Sequence, residues 1–189
     1  MSIATSVSTG LHAALLLARG RADGLRYVED DMAGATRSFW AMAICLPAFI
    51  CLRLLAWTAS GVTPHAAHMF ALDLMAYGIG WCGFAVLSYR LVGSMGLGVR
   101  WPRFIAIWNW CNVVQYLLLV VFSIPGLLGA PGLLDEACQT FALGWALWLE
   151  WFAFRLALGI GMIPAAALVA LDVAIGVMLA AVSLTFVPG

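Results

Sequence analysis

The residues best able to do chemistry in this sequence are charged side chains inside long apolar runs. Arg53 and Asp73 lie in two successive runs, and Glu150 and Asp172 lie in two later ones. A charged side chain surrounded by hydrocarbon is costly, so it usually pairs with another group or lines a water-filled cavity. These four residues are therefore our first candidates for a functional site.

Three amide side chains form a second group of candidates. Asn109, Asn112 and Gln115 are spaced by three, which puts them on one side of a helix, and we expect them to meet Glu150 and Asp172 in a bundle interior. Hydrogen bonds between such groups hold membrane helices together, and this is the interpretation we favour. The alternative is a hydrated cavity or a proton-accepting site built on the two carboxyl groups.

The histidines and cysteines give little support for a metal site. His65 and His68 are separated by three residues, and two histidines on one helix face can bind a metal or haem, but no further ligand is evident. The five cysteines are scattered in or beside apolar runs with no CxxC pair, so we predict buried free thiols. Without a nucleophile–base pair or a metal triad, we predict a non-enzymatic protein that holds no cofactor.

The composition shows what solvent these residues meet. Hydrophobic residues make up 65% of 189 positions and charged residues 10%, whereas about a quarter of the residues of a soluble domain are charged. Most of the surface must therefore face lipid. The net charge is zero, which argues against nucleic acid as a partner.

Five apolar segments are long enough to span a bilayer, which takes about 20 helical residues. We predict spans over residues 39–57, 69–89, 104–124, 137–154 and 165–186. We expect Pro125 to end the third span, Pro164 to lie in the first turn of the fifth, and Gly159 to supply a tight turn before it. The predicted fold class is an all-α membrane protein with about five transmembrane helices.

Residues 1–37 are predicted to form a cytoplasmic N-terminal segment, and residues 38–189 the transmembrane domain. The segment lacks a basic start and a small-x-small cleavage site, so we do not interpret it as a signal peptide. Apolar residues at helical spacing indicate an amphipathic helix on the membrane surface; they are Ala4, Val7, Leu11, Ala14, Leu15 and Ala18.

The arginines predict the orientation, because positive charges concentrate on the cytoplasmic side of membrane proteins. Arg19, Arg21, Arg26 and Arg37 precede the first span, Arg90, Arg100 and Arg103 lie between the second and third, and Arg155 lies between the fourth and fifth. The remaining arginine is Arg53, inside the first span. We therefore expect a bacterial inner-membrane protein with a cytoplasmic N-terminus and a periplasmic C-terminus.

Depth along the helices predicts one ion pair. At 1.5 Å per residue, Arg53 lies about 21 Å from the inner end of the first span and Asp73 about 24 Å from the inner end of the antiparallel second span. We predict that the two residues pair and hold this hairpin together. The alternative is that Arg53 extends outward to the membrane surface alone.

The order of these elements resembles the bacterial Yip1-like membrane proteins. The resemblance rests on Gly24-Leu-Arg26 through Asp30-Asp31, Arg37-Ser-Phe39-Trp40, Trp81, Asn109-Trp110, Glu150-Trp151-Phe152, Arg155 to Gly159 and Leu171-Asp172. It covers the chain from about residue 20 onward, although the long acidic or proline-rich cytoplasmic region of eukaryotic Yip1 proteins is missing. It implies five spans and a cytoplasmic N-terminus, and it leaves the activity open.

Two functions follow from these observations as predictions. The first is a non-enzymatic protein of membrane organisation, or an accessory subunit of a larger membrane complex, whose partners are the lipid bilayer and other membrane subunits or further copies of itself. The second is a small transporter or channel component with a polar path lined by Glu150, Asp172 and Asn109.

Overall fold

The computed structural model describes residues 3–60 and 66–186, together with their side chains except those of residues 58–60 and 184. Throughout these two ranges the regular elements are helices, and none is a strand. They are α1 (Ile3–Ala18), α2 (Met32–Ser38), α3 (Trp40–Ser60), α4 (Ala66–Ser94), α5 (Trp101–Leu127), α6 (Gly132–Leu158) and α7 (Met162–Thr185), with short 3-10 helices at Ala22–Tyr27 and Gly98–Arg100.

Within the described chain, five helical segments are long and apolar enough to cross a membrane, which confirms the predicted fold class. They are Met32–Trp57, Ala66–Ser94, Gly98–Leu127, Gly132–Leu158 and Met162–Ser183. Each predicted span lies almost entirely within one of them, and most of the helices extend beyond the predicted bounds. The protein is an all-α membrane protein with a short apolar helix at its N-terminal end.

The predictions for prolines and glycines at the span ends are right in two cases and wrong in one. Pro125 does not end the third span, because α5 continues through it to Leu127. A proline removes only one helical hydrogen bond, and so close to the end of a helix it can remain within the last turn. Pro164 does lie in the first turn of α7, and Gly159 ends α6 with a φ of 65°.

Helix α5 is the centre of the bundle, because it packs against α1, α2, α3 and α6. Five consecutive residues near its start, from Phe104 to Trp108, are buried. A helix that is buried on every side has neighbours all round and carries no apolar stripe. Helices α4 and α7 pack on each other, and α7 also packs on α6.

Aromatic rings in contact join α4, α5 and α6 in the half of the bundle where α5 begins and α6 ends. Phe84 stacks on Trp108 with ring centroids 4.4 Å apart, and Phe104 lies 4.6 Å from Phe154. Phe84, Phe104 and Phe154 are fully buried. Aromatic pairs at these distances add to the packing beyond their buried area, which gives the bundle a rigid core.

Helix α1 packs onto the bundle mainly through residues outside the apolar face that was predicted to lie on the membrane. The buried positions are mainly small, namely Ser6, Gly10, Ala13 and Ala14, followed by Leu16 and Leu17. Except for Ala14, the predicted apolar face stays exposed or half-buried. Small residues let two helices approach closely, and this is how α1 docks on α5.

Ion pairs and a helix cap hold the N-terminal segment at one end of the bundle. Asp30 pairs with Arg103 near the start of α5 at 2.6 Å, and Glu29 pairs with Arg37 at 2.9 Å. The Asp31 carboxylate accepts a hydrogen bond from the Gly34 N–H and caps α2. Helix α4 runs antiparallel to α5, so the start of α4 lies at the end of the bundle away from the N-terminal segment. The last residues of α7 lie at that same end.

Candidate functional site

Arg53 and Asp73 form the ion pair that their depths predict. The Arg53 Nη2 atom lies 3.3 Å from the Asp73 Oδ1 atom, and the two side chains are 40% and 15% exposed. The Arg53 guanidinium also lies 5.5 Å from the centre of the Phe49 ring. The pair joins α3 to α4 and faces open space instead of sealed protein.

That space is a cavity of about 230 Å³ between α3, α4, α5 and α7. Polar side chains from all four helices line it: Arg53, Asp73, Tyr77, Asn112, Tyr116, Asp172 and Ser183. It extends along α7 from Asp172 to Ser183, which is about 16 Å at 1.5 Å per residue. A volume of this size has room for several water molecules, each of which takes up roughly 30 Å³ in the liquid.

A second acidic group lies behind the inner end of this cavity. The Asp172 carboxyl faces the Glu150 carboxyl of α6 and the indole of Trp108. Glu150 is only 4% exposed, and its Oε1 atom finds no hydrogen-bond partner among the described residues. The predicted meeting of Glu150 with Asp172 is therefore confirmed, and it joins α6 and α7 through their side chains.

Of the three amides, only Asn112 lies with a carboxyl group as predicted, because it lines the cavity with Asp172. Asn109 donates to the Ser38 hydroxyl at 2.7 Å, and Gln115 donates to the Ala146 carbonyl at 2.8 Å. Asn112 lines the cavity and donates to the carbonyl of Trp108 in its own helix. Residues three apart differ by about 60° around a helix, so the three side chains spread over about 120° and reach three different surroundings.

Of the two histidines considered as weak metal candidates, the structure describes only His68. His65 lies outside the described residues. The Nε2 atom of His68 lies 3.2 Å from the Phe186 carbonyl, which ties the start of α4 to the end of α7. Among the residues in the two described ranges, no group of three His, Cys, Asp or Glu side chains is placed to hold a metal ion.

The aromatic wall of the cavity is the part that sequence reasoning missed. Phe49, Tyr77, Trp81, Trp108 and Tyr116 all line the space. Tyr77 lies 4.6 Å from Phe49 and 5.9 Å from Trp81, and Trp81 lies 5.0 Å from Trp108, so the rings are continuous. The sequence did carry one signal for this wall: Tyr77 and Trp81 are four residues apart, and this spacing places side chains on one helix face.

Comparisons with protein-family models, with curated proteins and with solved structures gave no significant match for this chain. The functional argument therefore starts from the geometry of the cavity.

Proposed function

We propose that this protein handles a small polar solute within the membrane, as a small transporter or channel component whose solute site is the cavity between α3, α4, α5 and α7. The observation that carries the proposal is that charged and amide side chains from four helices converge on an open space. Asp172 of α7 lines it at one end and the Arg53–Asp73 pair lies along its course.

The energetics of membranes support this function over a purely structural role. Ion pairs and hydrogen bonds that only join helices are best made with no space between them, because an unfilled volume loses packing contacts. Ionisable residues at membrane depth that border a cavity instead mark solute or ion pathways in membrane proteins. Asn109 has no part in the proposed path, since its side chain is bonded to Ser38.

The proposed orientation gives the cavity a side of the membrane. With the N-terminal segment in the cytoplasm, as the arginine distribution predicts, the Ser183 end of the cavity faces the periplasm. The proposed location is the bacterial inner membrane, and the site is then open to periplasmic solutes. A C-terminal alkaline phosphatase fusion, which is active only in the periplasm, tests this orientation directly.

The predicted interaction role remains a second candidate because of a separate groove. About 860 Å³ of open space lies between α3, α5 and α6, and apolar residues such as Leu52, Leu119 and Leu143 line it. Asp135 and Gln139 also border this groove. A helix of another subunit would cover both the apolar residues and these two polar ones. Copurification of a stoichiometric subunit in mild detergent supports this role, whereas a purified chain without one contradicts it.

The solute function predicts that water reaches the lining of the cavity. Gly176 and Ser183 line it, and a side chain added at Gly176 meets no atom within 4 Å. The prediction of buried thiols is wrong for three of the five cysteines, Cys51, Cys82 and Cys138, which are exposed or half-buried, so these three are replaced. Cysteine is then introduced singly by Gly176→Cys or Ser183→Cys, and a small neutral water-soluble thiol reagent is applied to membranes.

The matched control for this labelling is Val177→Cys, which is the next residue on α7. Val177 is 64% exposed and does not line the cavity, so lipid surrounds it in a membrane. We expect rapid labelling at positions 176 and 183 and slow labelling at 177, because a thiol reacts as a thiolate and needs water. Equal and slow labelling at all three positions would contradict the proposed function.

A further inference from the structure

We propose that the solute of this cavity is a small organic cation, held by Asp172 and the surrounding aromatic rings. The inference rests on the proposed function and adds the charge and chemical class of the ligand. Two neighbouring features of the cavity support it: the inner end is acidic, and a continuous wall of aromatic rings lies next to that end.

The charges that face the cavity leave a negative excess. Arg53 is already paired with Asp73, so this positive charge is compensated. The four ion pairs between described residues do not include Asp172, and the carboxyl group of Glu150 faces it. Two carboxyl groups that share a buried site hold one proton between them, so one negative charge remains at this end of the cavity. A cation would be attracted to that charge, whereas an anion would be repelled by it.

The aromatic wall favours a cation that is also weakly hydrated. The faces of Trp and Tyr rings attract cations, and quaternary ammonium groups are the ligands that aromatic cages recognise. Trp81 and Trp108 lie 5.0 Å apart with planes at 58°, and both line the cavity with Tyr77 and Tyr116. The Arg53 guanidinium beside Phe49 already makes such a contact in this cavity.

The remaining geometry distinguishes an organic cation from a metal ion. The volume of about 230 Å³ exceeds what a bare ion fills. In the part of the chain that the structure describes, no three side chains of the metal-binding types come together. The Trp108 indole N–H is buried and faces Asp172, where it would help to hold the carboxylate in place.

Binding of tetramethylammonium to the purified full-length protein in lipid nanodiscs, measured by titration calorimetry, tests this inference. Acetate and tert-butanol serve as an anionic and a neutral probe of similar size. We expect heat of binding with tetramethylammonium alone, at least a tenfold loss of affinity in Asp172→Asn, and no loss in the control Asp135→Asn. The control removes the same charge from the groove on the other side of the bundle.

Two results would overturn the inference. The first is no binding of tetramethylammonium, or affinity for acetate or tert-butanol equal to it. The second is unchanged affinity in a folded Asp172→Asn variant. If that variant aggregates on gel filtration, the inference is tested by the affinities of the wild-type protein for the three probes. If the cavity cysteines are labelled but no cation binds, only the cation preference is refuted. If the cavity cysteines are not labelled, the solute function is refuted as well.

Discussion

The contact between Gly10 and Trp110 offers the sharpest test of the packing of α1. A Cβ atom added at Gly10 would overlap the Trp110 indole, lying 2.5 Å from its Cδ2 atom and closer still to Cε2 and Nε1. Ordinary van der Waals contact begins at 3.4 Å, so the overlap is close to an ångström. Trp110 is only 2% exposed and cannot swing aside. We therefore examine Gly10→Ala.

Two opposing terms set the size of this effect. Alanine is better than glycine in a helix by about 1 kcal/mol. Overpacking a filled core costs about 1–3 kcal/mol. The control is Gly144→Ala, because Gly144 is also helical and an added Cβ there meets no atom within 4 Å. We expect Gly144→Ala to be neutral or stabilising, and Gly10→Ala to be less stable than this control by about 1–3 kcal/mol.

The measurement is reversible unfolding in mixed micelles with increasing sodium dodecyl sulfate, followed by tryptophan fluorescence. A double-mutant cycle assigns the clash to its partner: in a Trp110→Leu background the added methyl group has room, and the penalty of Gly10→Ala should largely disappear. Equal midpoints for Gly10→Ala and Gly144→Ala would refute the reasoning, and α1 would then not be packed on α5 as described.

Two further predictions concern polar pairs and use the same unfolding measurement. Asp73→Asn leaves the Arg53 guanidinium without its partner, and because Arg53 is 40% exposed we expect a loss of roughly 1–2 kcal/mol, less than for a fully buried pair. Arg53→Gln combined with Asp73→Asn should recover most of this loss, and no recovery would argue against the pairing. Asn109→Leu removes the buried hydrogen bond to Ser38, which should cost about 1–2 kcal/mol. A loss of the same size from Asn109→Leu in a Ser38→Ala background would mean that this bond is not the cause.

Features that follow from length, composition or depth could be predicted from the sequence. The number of spans depends only on how long each apolar run is, since hydrocarbon thickness sets the length of a helix. The Arg53–Asp73 pair follows in the same way, because a short connection makes the first two spans antiparallel neighbours and depth then decides which residues can meet. Glu150 and Asp172, also on successive spans, met for the same reason.

The tertiary structure alone decided which helices are neighbours and which face each one turns inward. In water an apolar stripe marks the buried face of a helix, but lipid is as apolar as a leucine side chain, so this signal is lost in a membrane. The burial of α1 through Gly10 and Ala13, and not through Leu11 and Leu15, is one consequence. The aromatic wall of the cavity is another, because Tyr77 and Tyr116 come together only when α4 and α5 are placed side by side.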